Sequence, residues 1–461
     1  MSYAEFIQSK RISIAPVGLT EVPPLNPMLF EFQRDITSWA LRRGRAAIFA
    51  GTGLGKSFME LEWARCVSEH IKRPVLIVAP LAVSHQFVTE GAHFREPVKI
   101  AETQKDIDEP TVYATNYEKL EHFDLDSFGG IVLDESSRIK AHDGKTRTWL
   151  IKSCARIPYR LCATATPAPN DYKELGNHAE FLGIMSYTEM LSMFFNHDGG
   201  ETSKWTLRRH ATNDFWKWLS GWSVCVAHPR DIGYEQDGYD LPPLNYHEHI
   251  VRANQGPSSE TGMLFALEAH TMQERLAARR DTVEIRCAKA AEIATTVDGP
   301  CAIWCNLNTE SSLLAKLIPG AVEVKGSDSD KHKEQTAMAF ARGELPRIVS
   351  KSSIFGFGMN WQACNNTIFV GLNDSFEQIY QSIRRFWRFG QTKEVNAHFI
   401  AADTEGAVVR NIKRKEELAE NMIRSMVEHM KDLNRVSLRG TSRQETEYNP
   451  TKHMELPTWI R

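Results

Sequence analysis

The chain has 461 residues, a formal net charge of −3, and apolar and charged residues in proportions ordinary for a globular protein. That length supports two or three domains with full cores, and no run of 18 apolar residues offers a membrane span. The charge excludes a uniformly basic nucleic-acid binder, but not one with a local basic lining. The eight cysteines are scattered without C-x-x-C pairs. Cys301 and Cys305, flanking an apolar strand pattern, read as reduced core residues, with zinc as the alternative. Without a signal-peptide core at the N-terminus, the expected compartment is the cytoplasm, the host's if the protein is viral.

Residues 1–28 carry Pro16, Pro23, Pro24 and Pro27 and read as an extended N-terminal stretch. An apolar period through Phe32, Ile36, Trp39 and Leu41 then predicts a helix. Gln33 at its start is placed to offer its amide to an adenine edge. Residues 46–50 read as a buried parallel strand, followed by Gly51, Thr52, Gly53, Gly55, Lys56 and Ser57 and then a helical pattern. Strand, glycine loop and helix start together make a phosphate cradle. Backbone N–H groups and the helix dipole face the anion, Lys56 reaches the terminal phosphates, and the Ser57 hydroxyl suits Mg²⁺.

Two further strands, 75–80 and 112–117, run into loops carrying Ser84, Gln86 and Asn116, neutral groups suited to phosphate contacts without base readout. Residues 131–133 deliver Asp134 and Glu135 to a strand's carboxyl end, where open α/β sheets bind ligands. In that position Asp134 would hold Mg²⁺ and Glu135 would activate water. The strand at 160–166 ends at Thr164 and Thr166, before Pro167, Pro169 and Asn170. From 185 to 240 the strand–helix rhythm stops. Trp205, Phe215, Trp216, Trp218 and Trp222 mix with Lys204, Arg208, Arg209, His210 and Lys217. Two readings stay open there, a stacking surface for nucleic acid and a helical core.

Residues 241–244 read as a rigid crossing and 256–297 as polar-faced helices. A second strand–helix domain begins at 301, with strands also expected at 321–325, 347–350 and 365–370. Ser352 follows one of these and Gly358 lies in the G-F-G-M-N stretch. Residues 381–391, Q-S-I-R-R-F-W-R-F-G-Q, place Arg385 and Arg388 on one expected helix face. Residues 405–439 predict an amphipathic helix with Leu418, Met422, Met426 and Met430 as apolar positions, expected to pack across the second domain.

The loop A-x-x-G-x-G-K-S from Ala50 resembles motif I of the superfamily-two helicases and translocases. Gln33 resembles that superfamily's Q motif, the loops after 80 and 116 its motifs Ia and Ib, and Asp134-Glu135 its motif II, with Ser136-Ser137 in place of Ala-His. Residues 164–170 and 381–391 resemble motifs III and VI of the Swi/Snf-like branch, the latter at every fixed position of Q-x-x-x-R-x-x-R-x-G-Q. The resemblance runs from Phe32 to about Ala402. It implies two tandem RecA-like α/β domains with ATP and Mg²⁺ between them. The implied boundaries are an N-terminal extension at 1–28, an ATP-binding domain at 29–184, a short helical insertion at 185–240, linker and helices at 241–298, the second domain at 299–404, and a C-terminal helix and tail at 405–461. Lys56, Asp134, Glu135, Arg385 and Arg388 would be catalytic. Gln33, Gly51, Thr52, Gly53, Gly55, Ser57 and Gly358 would complete the nucleotide site, and Thr164 and Thr166 would couple it to nucleic acid. Ser84, Gln86, Asn116 and Ser352 would touch that nucleic acid.

The implied activity is an ATP-driven motor on DNA, with duplex favoured and DNA favoured over RNA, working beside a separate nuclease or replication protein. A strand-separating DNA or RNA helicase is the alternative within enzymes. A nucleotide-gated binding module with slow hydrolysis is the alternative outside them.

Overall fold

The computed structural model describes residues 14–140, 144–168, 171–197, 205–252, 280–355, 360–371, 376–403 and 406–439. Gly358, Pro169, Asn170 and Lys204 lie outside these. Near-continuous apolar runs form parallel strands, because helices cover both faces of such sheets.

The first sheet contains β1 (Arg45–Ala50), β2 (Val75–Ala79), β3 (Val98–Ile100), β4 (Val112–Asn116), β5 (Gly130–Asp134) and β6 (Tyr159–Thr164). A short hairpin, β7 (Phe195–His197) and β8 (Trp205–Leu207), stands apart from it, and β9 (Ser223–Val226) returns to it. The order is β3-β4-β2-β5-β6-β1-β9, parallel throughout. The second sheet holds β10 (Leu244–Val251), β11 (Cys301–Cys305), β12 (Ala321–Val324), β13 (Arg347–Lys351), β14 (Asn366–Val370) and β15 (Val395–Ala402), in the order β10-β15-β14-β11-β13-β12. It too is parallel. The expected pair of parallel-sheet α/β domains is therefore present.

Three segments differ from the sequence reading. First, the aromatic stretch is not an external insertion. Phe215, Trp216, Trp218 and Trp222 are buried in the first domain's core, and the strand after them, β9, pairs with β1. Of the two readings left open, the core one describes these four rings. Second, residues 244–251, read as part of a linker, form the edge strand β10 along the whole of β15. Its alternating half-buried and exposed residues suit an edge better than a crossing.

Third, the C-terminal helix Gly406–Arg439 leaves the second domain and lies on the first. Met426 and Met430 join the first domain's core, and His429 stacks on Trp216 with ring centres 4.9 Å apart. Trp39 Nε1 donates to Ser437 Oγ at 2.7 Å, and Asn434 Nδ2 donates to the Cys225 carbonyl at 3.0 Å. Leu418, expected on the apolar face, is exposed. The helix follows the core that lacks cover, and the face around Trp216 is that core. All eight cysteines are free and buried, and among the described residues no three metal-ligating side chains form a cluster. Cys301 and Cys305 lie in β11 as core residues. No described helix is long and apolar enough to cross a membrane.

Candidate active site between the two sheets

The register of the first sheet brings the chemistry to one edge. Phe49 stands opposite Thr164 and Asp134 opposite Ala163, so the glycine loop, the acid pair and the threonines all leave the sheet at its carboxyl end. Gly53 and Gly55 have φ of +89° and +76°, which few other residues adopt without strain. At Gly53 there is a second constraint, since a Cβ would sit 2.9 Å from the backbone nitrogen of Phe389 in the second domain. The helix Lys56–Ile71 starts directly after the loop. Lys56 Nζ turns back to the carbonyl of Ala50 at 3.1 Å, over the loop it would serve. Thr52 Oγ1 is buried and has no hydrogen-bond partner among the described residues, as expected of a group that waits for a ligand oxygen.

Asp134 is buried and its carboxyl is pushed up to about 7, by burial first and then by the charge of Glu135, with Lys56 opposing. Its carbonyl accepts the Tyr117 hydroxyl at 2.7 Å. Glu135 has a positive φ of 47°, an unusual conformation for a residue with a side chain. Thr164 Oγ1 donates to Glu135 Oε2 at 3.3 Å and accepts from the Thr166 amide at 3.2 Å. Behind this, Ser136 Oγ and His178 Nε2 lie 3.1 Å apart. Thr164, expected with Thr166 to couple the site to nucleic acid, thus touches the glutamate expected to activate water.

The second domain closes the other side. Arg385 and Arg388 do not share a helix face, because the helix Phe376–Ile383 ends before them. The turn is pinned by Gln391, whose Nε2 reaches the carbonyls of Gln362, Cys364 and Phe386, each at 3.1 Å, and by the Trp361 amide donating to the Arg385 carbonyl. Burial lowers the Arg385 guanidinium to about 9, with Arg388 adding repulsion while Glu135 and Asp134 attract it. Arg388 is lowered by burial against the pull of Glu90, and its Nε has no partner among the described residues. Phe389 packs on Tyr239 and Phe30, with ring centres 4.7 and 6.0 Å away.

Other expected positions behave differently. Gln33 is buried, with Oε1 accepting the Phe30 amide at 2.9 Å and Nε2 donating to the Leu54 carbonyl at 2.9 Å. Its amide thus braces the glycine loop, and each end keeps one further hydrogen-bonding position, an N–H on Nε2 and a lone pair on Oε1. Ser84, Asn116 and Ser352 are buried, and Asn116 caps the following turn through the Lys119 amide. Gln86 hydrogen-bonds Glu90. Ser352 lines a pocket with Asn306 and Gly371 at the carboxyl end of the second sheet.

Two acids that the sequence reading passed over also lie here. Burial raises the Glu90 carboxyl, against the Gln86 hydrogen bond, the charge of Arg388 and the Ser57 hydroxyl. Glu60, on the loop helix, is fully buried. The only sequence signal for either was an acid on a helix face whose other residues are apolar.

The SNF2-related domain family matches residues 32–198, and the helicase conserved C-terminal domain family matches residues 288–390. The chain belongs to the Snf2-like branch of helicase superfamily two. As a member it is a nucleic-acid-dependent ATPase. A search of curated proteins finds no match. Among solved structures the chain is similar to the Sulfolobus solfataricus SWI2/SNF2 ATPase core in complex with dsDNA, at 18% identity, covering 91% of this chain and 98% of that one, with a TM-score of 0.41.

Proposed function

We propose that this Snf2-like chain hydrolyses Mg-ATP in the cleft between its two sheets and uses closure and reopening of that cleft to move along duplex DNA. The observation that carries the reading is Arg385, buried in the second domain's turn with Asp134 and Glu135 of the first domain as its attracting charges. A phosphoryl-transfer site needs that pairing of lips, one holding phosphates and metal, the other stabilising the transition state.

The residues fit a magnesium ion. Asp134 is a buried acid that lacks a full counter-charge, and a Ser57 hydroxyl that donates towards Glu90 keeps its oxygen lone pairs for a cation. Ser57 and Asp134 would hold the ion, which would supply neutralisation of the charge that develops on the phosphates. Lys56 would leave the Ala50 carbonyl for the phosphates. Glu135, held by Thr164, would orient water and take its proton. Arg385 and Arg388 would stabilise the transferring group from across the cleft. Retreat of the second domain would withdraw both arginines, so each turnover resets the cleft.

The duplex preference rests on the Swi/Snf form of residues 381–391. Parallel assays with single-stranded DNA, duplex DNA and RNA, joined to triplex displacement and forked-duplex unwinding, test it. The expected result is ATPase stimulation by duplex of any sequence, with displacement but no unwinding. Affinity should fall with salt at a log–log slope of about −0.9 per phosphate contact. Efficient unwinding would favour a helicase, and hydrolysis indifferent to DNA would favour a nucleotide-gated binding module.

A further inference from the structure

Glu60 lies four residues after Lys56 and three after Ser57 on the helix Lys56–Ile71, so all three side chains project from one face. Its relative exposure is 0%, and neither carboxylate oxygen has a hydrogen-bond partner among the described residues. Its charged surroundings are Asp134, Lys56, Glu135 and Glu90, three acids and one base. The one base is engaged elsewhere, since Lys56 donates to the carbonyls of Ala50 and Gly51. A buried carboxylate with no donor is costly, and a leucine would occupy similar space without that cost. What it lacks is a hydrogen-bond donor or an unengaged positive charge.

We propose that Glu60 is an outer-sphere anchor for the magnesium ion of the nucleotide complex, accepting hydrogen bonds from ion-bound water on the side facing the loop helix. The inference rests on the reading of Ser57 and Asp134 as the metal's protein ligands and adds a residue to it. A carboxylate is acceptor-only when ionised, and water on a divalent cation is donor-only towards its second sphere, so the two match. Such partners orient the first sphere, and their loss typically costs about 10–100-fold in metal affinity. Glu60 is on this account a positioning residue that touches neither phosphate nor attacking water.

The test uses the full chain, a fluorescent ATP analogue and titration with MgCl₂, read as nucleotide affinity without turnover. Glu60→Gln keeps shape and removes the charge, and Glu60→Leu removes the polar group altogether. Both variants should bind nucleotide in EDTA about as tightly as the parent, because Glu60 touches no phosphate. Both should need about 10–100-fold more Mg²⁺ to reach half of the metal-dependent tightening. Glu60→Leu should also melt no lower than the parent in EDTA, which keeps the test available if the glutamine variant folds poorly. A parental Mg²⁺ midpoint in either folded variant would overturn the inference, as would equal losses with and without metal, the mark of a residue that only supports the helix. If nucleotide affinity of the parent ignores Mg²⁺, the reading of the whole site fails and this inference with it. If the parent responds and both variants respond alike, only the inference fails.

Discussion

Lys56, Glu135 and Arg388 make separable demands on one reaction. Lys56→Ala should weaken nucleotide binding, since a direct phosphate contact goes. Glu135→Gln should keep binding, because Asp134 remains for the metal, and should slow single-turnover hydrolysis by about 10²–10⁴. Arg388→Ala should bind ATP nearly normally through the first domain and lose roughly 10³–10⁵ in hydrolysis. Wild-type turnover in either of the last two variants would remove that residue from the chemistry. Protonation gives a fourth expectation. The folded-state carboxyl of Asp134 is raised to about 7, and that of Glu60 is raised too. Each acid binds its proton more tightly when folded, so stability rises as pH falls through about 7 and stops rising below ordinary carboxylate values. Melting temperature without Mg²⁺ and nucleotide should climb from pH 8 to pH 6. Asp134→Asn should flatten that climb, and an unchanged climb would place its origin elsewhere.

At the level of elements, the C-terminal helix is the part that packing governs most. Met430 and Met426 fill the first domain's core beside Trp216. Met430→Ala should cost about 2–5 kcal/mol, the usual range for emptying such a site, and the loss should appear in the first domain's melting. A fragment ending near residue 250 lacks this cover and should be poorly stable besides being almost inactive. These relations explain what the sequence could and could not show. Lys56, Asp134, Glu135 and the arginines stand at strand ends and turns, where order along the chain reveals the chemistry. Trp216 meets its partner His429 only through folding, and the two readings of its segment could not be separated by spacing. Glu60 and Glu90 escape a reading by motif, because an acid on an otherwise apolar helix face is the one local mark of their burial. Gln33 was placed at the right loop, yet which face of its amide the loop would occupy depends on Leu54 and Phe30.

For the molecule as a whole, the path of the chain matters as much as its domains. It leaves the first sheet after β9, builds the second through β10 to β15, and returns by the helix Gly406–Arg439 to the face it left. Asn434 and the Cys225 carbonyl it reaches are 209 residues apart. On a ribosome adding about 5–20 residues per second, the first domain would wait about 10–40 s between emergence of β9 and arrival of the helix that covers it. During that interval Trp216 and its neighbours face solvent. The domain that is synthesised first is therefore the last to be completed, and a nascent chain stalled before Met426 should be the species that chaperones and proteases engage.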